Sequence, residues 1–150
     1  MGSLYWMTTI VDRKIAKKYV ELYNETGKTV LFVTLGTGTA SSEVMDYLGL
    51  DSSEKAVIFS LQEEENWLET KKLLQKKLQI DAPGGGIAFT VPLASIGGKK
   101  TLQFLLEKED FKKEEESTLK DTVHELIVVI SDQGYVDLIM EAARGAGAYG

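Results

Sequence analysis

Apolar residues recur along the chain at two different periods, and these periods predict which segments form strands and which form helices. Residues 4–11, 29–35, 55–61 and 87–91 are rich in β-branched and aromatic residues and predict four strands. Residues 13–25 and 63–79 place apolar side chains every three or four positions, which is typical of amphipathic helices. Trp6 on the first strand is expected in the core or in a subunit contact.

The order of these elements is strand, helix, strand, strand, helix, strand. Two helices and four strands in this order predict an α+β fold, with a four-stranded antiparallel sheet covered by helices on one face. This is the ferredoxin-like βαββαβ arrangement. The connection after the second strand begins as a flexible glycine-containing loop at residues 36–42, and residues 43–48 predict a turn of helix.

A second group of elements follows a charged segment. Glu and Lys dominate residues 107–122 and predict a solvated linker. Residues 125–130, Glu-Leu-Ile-Val-Val-Ile, predict a buried strand, and residues 133–144 predict a helix. Because a free apolar strand is an aggregation hazard, we expect residues 126–130 to be paired.

This strand and helix repeat the first pair after a shift of 120 residues. A strand, an aspartate, a helix and a glycine then recur in register. The aligned pairs include Ile10 with Ile130, Asp12 with Asp132, Tyr19 with Ile139, and Gly27 with Gly147. The pattern predicts a whole ferredoxin-like unit at residues 4–98, a charged linker at 99–123, and the extra strand and helix of an incomplete second repeat at 124–150.

Composition narrows the functional classes. The chain has 43% hydrophobic and 27% charged residues, which is typical of an ordinary soluble globular protein. Its 17 basic and 23 acidic residues give a net charge of −6, which argues against nonspecific binding to nucleic acid or to an anionic membrane. Without cysteine, disulfides and thiolate metal sites are excluded. No apolar run is long enough to span a membrane, so we expect a cytoplasmic protein without membrane insertion.

The last predicted helix carries the most specific motif in the chain. Gly134 and Tyr135 open it, and an Ala-Ala-Arg-Gly-Ala-Gly-Ala run at residues 142–148 ends it. This pattern resembles the PII nitrogen-regulatory family, closely over residues 126–150 and loosely over residues 4–98. The resemblance implies a βαββαβ fold, assembly as a homo-oligomer (a trimer), and ligands bound in clefts between subunits. It also implies a non-enzymatic signalling role in nitrogen regulation, exerted on a regulated protein partner.

The resemblance also implies candidate binding residues. The family's second strand ends in a Gly-x-Gly that opens its mobile T-loop, where this chain has Gly36, Thr37, Gly38 and Thr39. The family's B-loop, Gly-Asp-Gly-Lys, corresponds to Gly84, Gly85, Gly86 and Ile87. The aspartate and the lysine are therefore replaced, which removes a point charge for a nucleotide phosphate. Lys99 and Lys100 follow the fourth strand, where the family places phosphate-binding basic residues.

The glycine run has a physical rationale of its own. Glycines permit left-handed φ angles, close approach of the backbone, and N–H groups aimed at an anion. We therefore predict a small anionic effector and no certain cofactor, and the resemblance to the PII family implies an adenine nucleotide as one possible effector. The same residues suit an ordinary tight turn, so an interaction domain without a small ligand is the alternative.

Enzymatic chemistry has little support in the sequence. No nucleophile and base lie at a suitable spacing, and a single histidine predicts no metal site. A small ferredoxin-like enzyme such as an acylphosphatase would need an anion-holding arginine in a loop. The chain offers only Arg13 and Arg144, each at the end of a predicted helix. We therefore predict neither catalytic nor metal-binding residues.

Overall fold

A computed structural model describes residues 4–27, 30–38, 54–97, 100–101, 104 and 123–148. Thr39, Lys99, the helical turn predicted at 43–48 and most of the predicted linker 99–123 lie outside these residues. The chain divides into two compact units, residues 1–118 and residues 119–150. Within the described ranges, no helix combines the length and the apolarity that crossing a membrane requires.

The first unit contains four strands and two helices in the predicted order. They are β1 (Leu4–Asp12), α1 (Ala16–Glu25), β2 (Leu31–Thr37), β3 (Glu54–Glu63), α2 (Glu64–Leu78) and β4 (Ile87–Pro92). The strands form one sheet in the order β2-β3-β1-β4, and every neighbouring pair is antiparallel. This topology confirms the α+β class and the ferredoxin-like βαββαβ arrangement.

The strand β2 ends later in the chain than the sequence pattern predicts. Gly36 and Thr37 were expected in a flexible loop, but they are the last residues of β2 and lie opposite Lys55 and Glu54 of β3. The reason is that β3 begins early enough to supply a partner for each of them. Strand pairing, which the local sequence does not reveal, extends the strand into the glycine segment.

The core lies between the sheet and its two helices. On β1, Met7 and Val11 point toward the helices and are fully buried. Tyr19 and Tyr23 of α1 are also buried, as the helical periodicity predicts. The residues of this core are Met7, Val11, Tyr19, Leu22, Tyr23, Ala56, Ile58 and Leu74.

The opposite side of the sheet is largely apolar, and neither α1 nor α2 packs on it; we call it the open face. Because side chains alternate along a strand, it collects every second residue of the four strands. The Trp6 ring stacks on Phe59 with centroids 5.3 Å apart, and on Phe32 at 6.4 Å. Ile87 and Phe89 remain 44% and 41% exposed. The apolar residues of the open face are Leu4, Trp6, Ile10, Phe32, Val57, Phe59, Leu61, Ile87, Phe89 and Val91, and the polar residues Thr8, Thr34 and Lys55 also lie on this side.

The second unit consists of an extended segment and the helix α3 (Val136–Gly145). The buried strand predicted at 125–130 is absent: residues 124–132 form no strand pairing, and residues 126–130 are between 46% and 71% exposed. The apolar pattern is suitable for a strand, but strands also need neighbours for their N–H and C=O groups. The described part of this unit supplies no neighbouring strand, so the segment stays exposed.

The helices α1 and α3 match across the 120-residue shift. Each has 10 residues, and Ala16 and Glu25 align with Val136 and Gly145. Each helix is followed by a glycine in the left-handed region, Gly27 with φ 79° and Gly147 with φ 86°. The two segments therefore have the same local conformation, whatever surrounds them.

Candidate functional site

The glycine loop lies between α2 and β4 and is built from two successive turns. Gln79 ends α2 with a left-handed φ of 50°. Its carbonyl accepts the N–H of Ala82 at 2.9 Å, and the Ala82 carbonyl accepts the N–H of Gly85 at 2.9 Å. Asp81, Ala82 and Pro83 are exposed on the outside of the loop. The loop is thus well defined by its own backbone hydrogen bonds.

Packing alone requires glycine at two positions of this loop. A Cβ on Gly85 would lie 2.5 Å from the carbonyl oxygen of Gln79. A Cβ on Gly86 would lie 2.6 Å from Cγ1 of Val11, and this residue also has φ 117°. Both distances are shorter than carbon contacts allow, and left-handed φ angles disfavour side chains. The protein's own packing therefore explains Gly85 and Gly86.

Two tyrosines of α1 connect this loop and the sheet. The Tyr19 hydroxyl donates a hydrogen bond to the carbonyl of Gly85, which ties the loop to the helix. Burial raises the pKa of Tyr19. Tyr23 shares a hydrogen bond of 2.7 Å with the Thr9 hydroxyl, and burial raises the pKa of Tyr23 to about 12. The Thr9 hydrogen bond opposes this rise and Tyr19 adds to it. Both phenols therefore stay protonated at neutral pH, so Tyr19 holds the loop against α1 and Tyr23 holds α1 against β1.

The second glycine segment lies at the end of β2. Gly36 is half-buried and Thr37 is exposed, and Gly38 follows the strand. A Cβ on Gly36 would meet only Cγ2 of Val57, at an ordinary contact distance of 3.8 Å. No left-handed φ occurs at Gly36. Unlike the loop before β4, this position does not need glycine for packing.

The two glycine segments lie at the same end of the sheet but on opposite edges. Gly36 at the end of β2 pairs with Lys55 of β3, and Lys55 pairs with Asp12 at the end of β1. Ile87, directly after the glycine loop, begins β4 on the far side of β1. Three strand spacings of about 4.8 Å separate β2 from β4, which is roughly 14 Å. A single chain therefore does not bring the two segments into one small binding site.

Charged residues occupy the same end of the sheet between the two segments. Lys55 is only 5% exposed although it is charged. The guanidinium Nη1 of Arg13 lies 3.3 Å from Oε1 of Glu54. The Asp12 carboxylate accepts the backbone N–H of Lys14 at 2.8 Å. Sequence reasoning missed Lys55 and Arg13 as neighbours of the glycine segments, because only the strand register places them there.

The remaining predicted residues do not gather around these segments. Ile87, at the position of the family's lysine, lies on the open face opposite Ile10. Lys100 is exposed. Among the residues that the structure describes, no group of three or more histidine, aspartate or glutamate side chains is arranged to hold a metal ion.

Comparisons with known proteins found similar solved structures. One is the Bacillus subtilis GlnK–ATP complex, with a TM-score of 0.44 and 15% identity over 61% of this chain and 82% of that chain. Another is a functionally unknown protein from Pediococcus pentosaceus ATCC 25745, with a TM-score of 0.43 and 14% identity over 65% of this chain and 98% of that chain. No protein-family model and no curated protein matches the chain. At these identities and TM-scores, neither structure assigns the chain to a family.

Proposed function

We propose that this chain is a PII-like regulatory protein without enzymatic activity. It assembles as a homo-oligomer, a trimer by its resemblance to the PII family, and it binds a small anionic effector between subunits. An adenine nucleotide is the first candidate. Binding reorganises the segment after Gly38, which contacts a regulated protein, as in nitrogen regulation. The observation that supports this proposal most directly is that the two glycine segments lie at the same end of the sheet, on its opposite edges.

The open face supports the homo-oligomer. It places three stacked aromatic rings and several aliphatic side chains on the side of the sheet that α1 and α2 leave uncovered. Contiguous apolar patches of this kind mark protein interfaces, since leaving them in water forgoes burial of apolar area. Copies that meet through their open faces would cover Phe89 and Ile87, which are exposed in the single chain.

The position of the glycine segments supports an effector site between subunits. An oligomer of this sheet can bring the β2 edge of one copy beside the β4 edge of the next. Gly36 and Gly38 of one subunit would then face Gly84 and Gly86 of another across a cleft. The combination would direct backbone N–H groups of both glycine segments toward an anion in the cleft.

Calorimetry with ATP and ADP tests the effector. Wild-type chain is expected to bind at least one of them, and Thr37→Glu is expected to weaken binding because it adds a negative charge at the end of β2. Gln75→Glu, at an exposed position of α2, adds the same charge elsewhere and should leave binding unchanged. Absence of heat and of any thermal shift with both nucleotides would remove a nucleotide effector from the proposal.

Sedimentation velocity tests the oligomer independently. Phe89→Lys on the open face should lower the mass toward that of a monomer, because a charge there would be buried in the interface. Leu68→Lys replaces a residue that is 64% exposed on α2 and should keep the wild-type mass. A monomeric wild-type chain would contradict assembly through the open face.

A second candidate function is an interaction domain without a small ligand. The close packing of Gly85 and Gly86 against the protein's own backbone favours it, because these glycines need no ligand to account for them. This candidate predicts that Thr37→Glu and Gln75→Glu behave alike in every binding assay. A difference between the two variants with ATP would exclude it.

A further inference from the structure

The extended segment of the second unit is the largest continuous apolar exposure in the described chain. Five consecutive residues, Leu126 to Ile130, are aliphatic and between 46% and 71% exposed. Such a segment has strong β propensity and unpaired backbone groups, which is the combination that recruits another strand. The question is which strand it recruits.

The match between the two helices indicates what kind of neighbour the segment needs. Across the 120-residue shift, residues 124–132 correspond to β1, which is a central strand with an antiparallel neighbour on each side. Ile127 and Val129 correspond to Met7 and Thr9, whose side chains face α1 and are fully buried. The segment therefore has the pattern of a strand that is covered by its own helix and paired antiparallel.

We propose that residues 124–132 pair antiparallel with the same segment of a second copy of this chain. The pairing register follows from the sequence, with Val128 facing its own symmetry mate. Leu126 then lies opposite Ile130, and Ile127 lies opposite Val129, so all five aliphatic residues meet aliphatic residues. The polar ends also fit, since His124 lies opposite Asp132 and no like charges face each other.

Neighbouring registers are less favourable. Centring the pair on Ile127 places Glu125 opposite Val129, and centring it on Val129 places Leu126 opposite Asp132. In each alternative register a carboxylate lies opposite an aliphatic side chain, and the symmetry of the pair makes this happen twice. The Val128 register avoids both of these unfavourable pairings.

The helix α3 adds to this interface. A two-stranded ladder alone is only marginally stable in water, so it needs cover on one face. Ile139, Met140 and Ala143 are only half-buried on α3, whereas the corresponding core position on α1, Tyr19, is fully buried. A ladder of two segments provides a wider surface for these residues to cover. This contact is separate from the open face and does not depend on the proposed effector.

A single introduced cysteine tests the register, because the natural chain contains none. In the oxidised full-length chain, Val128→Cys should form a disulfide-linked dimer, since antiparallel partners directly opposite each other lie at disulfide distance. Val123→Cys, at a position 87% exposed outside the ladder, is the matched control. We expect cross-linking of V128C to be on the order of tenfold faster or more, because pairing raises the effective thiol concentration. Equal rates for the two variants would overturn the proposal.

Hydrogen exchange provides a second readout that does not depend on a cysteine. In wild type, the amides of residues 126–130 should exchange more slowly as protein concentration rises, and Val128→Lys should abolish this dependence. Val123→Lys should retain it. Fast exchange of these amides at every concentration would also overturn the proposal. Phe89→Lys should leave the slow exchange of residues 126–130 unchanged, and V128K should leave ATP binding unchanged. Failure of the strand pairing can therefore be distinguished from failure of the proposed function.

Discussion

The β1–α1 segment and residues 124–148 have the same local pattern but opposite environments. Both contain an apolar run, an aspartate, a helix of 10 residues and a left-handed glycine. In the first unit, β1 lies between two strands and Met7 is fully buried. In the second, Ile127 is 71% exposed. Local sequence therefore specifies the helix and its ends, whereas burial depends on strands from elsewhere.

The same comparison explains why the first unit can hold a defined loop. Tyr19 and Tyr23 reach from α1 to the glycine loop and to β1. Their counterparts in the second unit are Ile139 and Ala143, which have no hydroxyl groups. The two tyrosine hydrogen bonds of the first unit therefore have no side-chain equivalent at these two positions of the second unit.

Matched core truncations should give the largest difference between the two segments. Met7→Ala is expected to destabilise the first unit by about 2–5 kcal/mol, because it leaves a cavity in a closed core. Ile127→Ala, its counterpart, should change the unfolding of that unit by no more than about 0.5 kcal/mol. Urea denaturation followed by near-ultraviolet circular dichroism measures both. Similar losses would show that the segments share one environment.

Glycine substitutions should sharpen the comparison further. Gly86→Ala should destabilise the first unit in two ways. The added Cβ overlaps with Val11, which costs about 1–3 kcal/mol, and the left-handed φ is unfavourable for alanine by about 1–2 kcal/mol. Gly27→Ala meets no atom within 4 Å and should lose only the second contribution. Gly147→Ala, the counterpart of Gly27, should leave the melting of the first unit unchanged. If G86A and G27A were equally stable by thermal denaturation, the tight packing of the loop against β1 would be contradicted.

Alkaline pH should weaken the first unit through its buried tyrosines. The pKa of Tyr23 is about 12 in the folded chain, against an ordinary value of 10.0 for a tyrosine. Between these values the unfolded chain releases the phenolic proton and the folded chain retains it, so stability falls as pH rises. The slope is at most about 1.4 kcal/mol per pH unit for one group. Urea titrations at several pH values should show this loss in wild type and a smaller loss in Tyr23→Phe. An identical pH dependence in the variant would exclude Tyr23 as its source.

The smallest expected effect concerns the ion pair at the end of β1. Arg13→Ala removes a contact of 3.3 Å to Glu54, but both side chains are partly exposed. Such pairs contribute less than about 1 kcal/mol. Its counterpart, Gln133→Ala, should change nothing. Denaturation at low and high salt distinguishes the two variants. Salt screens the ion pair, so only the stability lost in Arg13→Ala should become smaller at high salt.

Much of the fold of the first unit can be predicted from sequence periodicity. The helices, strands and their order follow from local patterns, and so does the position of the glycine loop before β4. What periodicity omits is the register: it did not place Lys55 beside Gly36, extend β2 through Thr37, or put Trp6 against Phe59 on the open face. These contacts join residues far apart in sequence, so no local pattern contains them.

Less of the candidate site than of the fold could be predicted from the sequence, for a related reason. Gly84, Gly85 and Gly86 looked alike in sequence, but Gly85 lies against the end of α2 and Gly86 lies against β1. The prediction of a buried strand at 125–130 was wrong, because the composition of a segment does not show whether neighbouring strands are present. In both cases the decisive quantity is the distance to a distant backbone segment.

Mixing two binding-deficient variants tests most directly whether the effector site is shared between subunits. Thr37→Glu places its charge at the end of β2, and Ala82→Glu places its charge on the exposed glycine loop. Each variant alone should fail to bind ATP in calorimetry. After unfolding and refolding together, mixed oligomers should regain part of the ATP binding, because some clefts join an unaltered β2 edge to an unaltered loop. If wild type binds ATP and the mixture recovers none, the site lies within one chain and the account is contradicted.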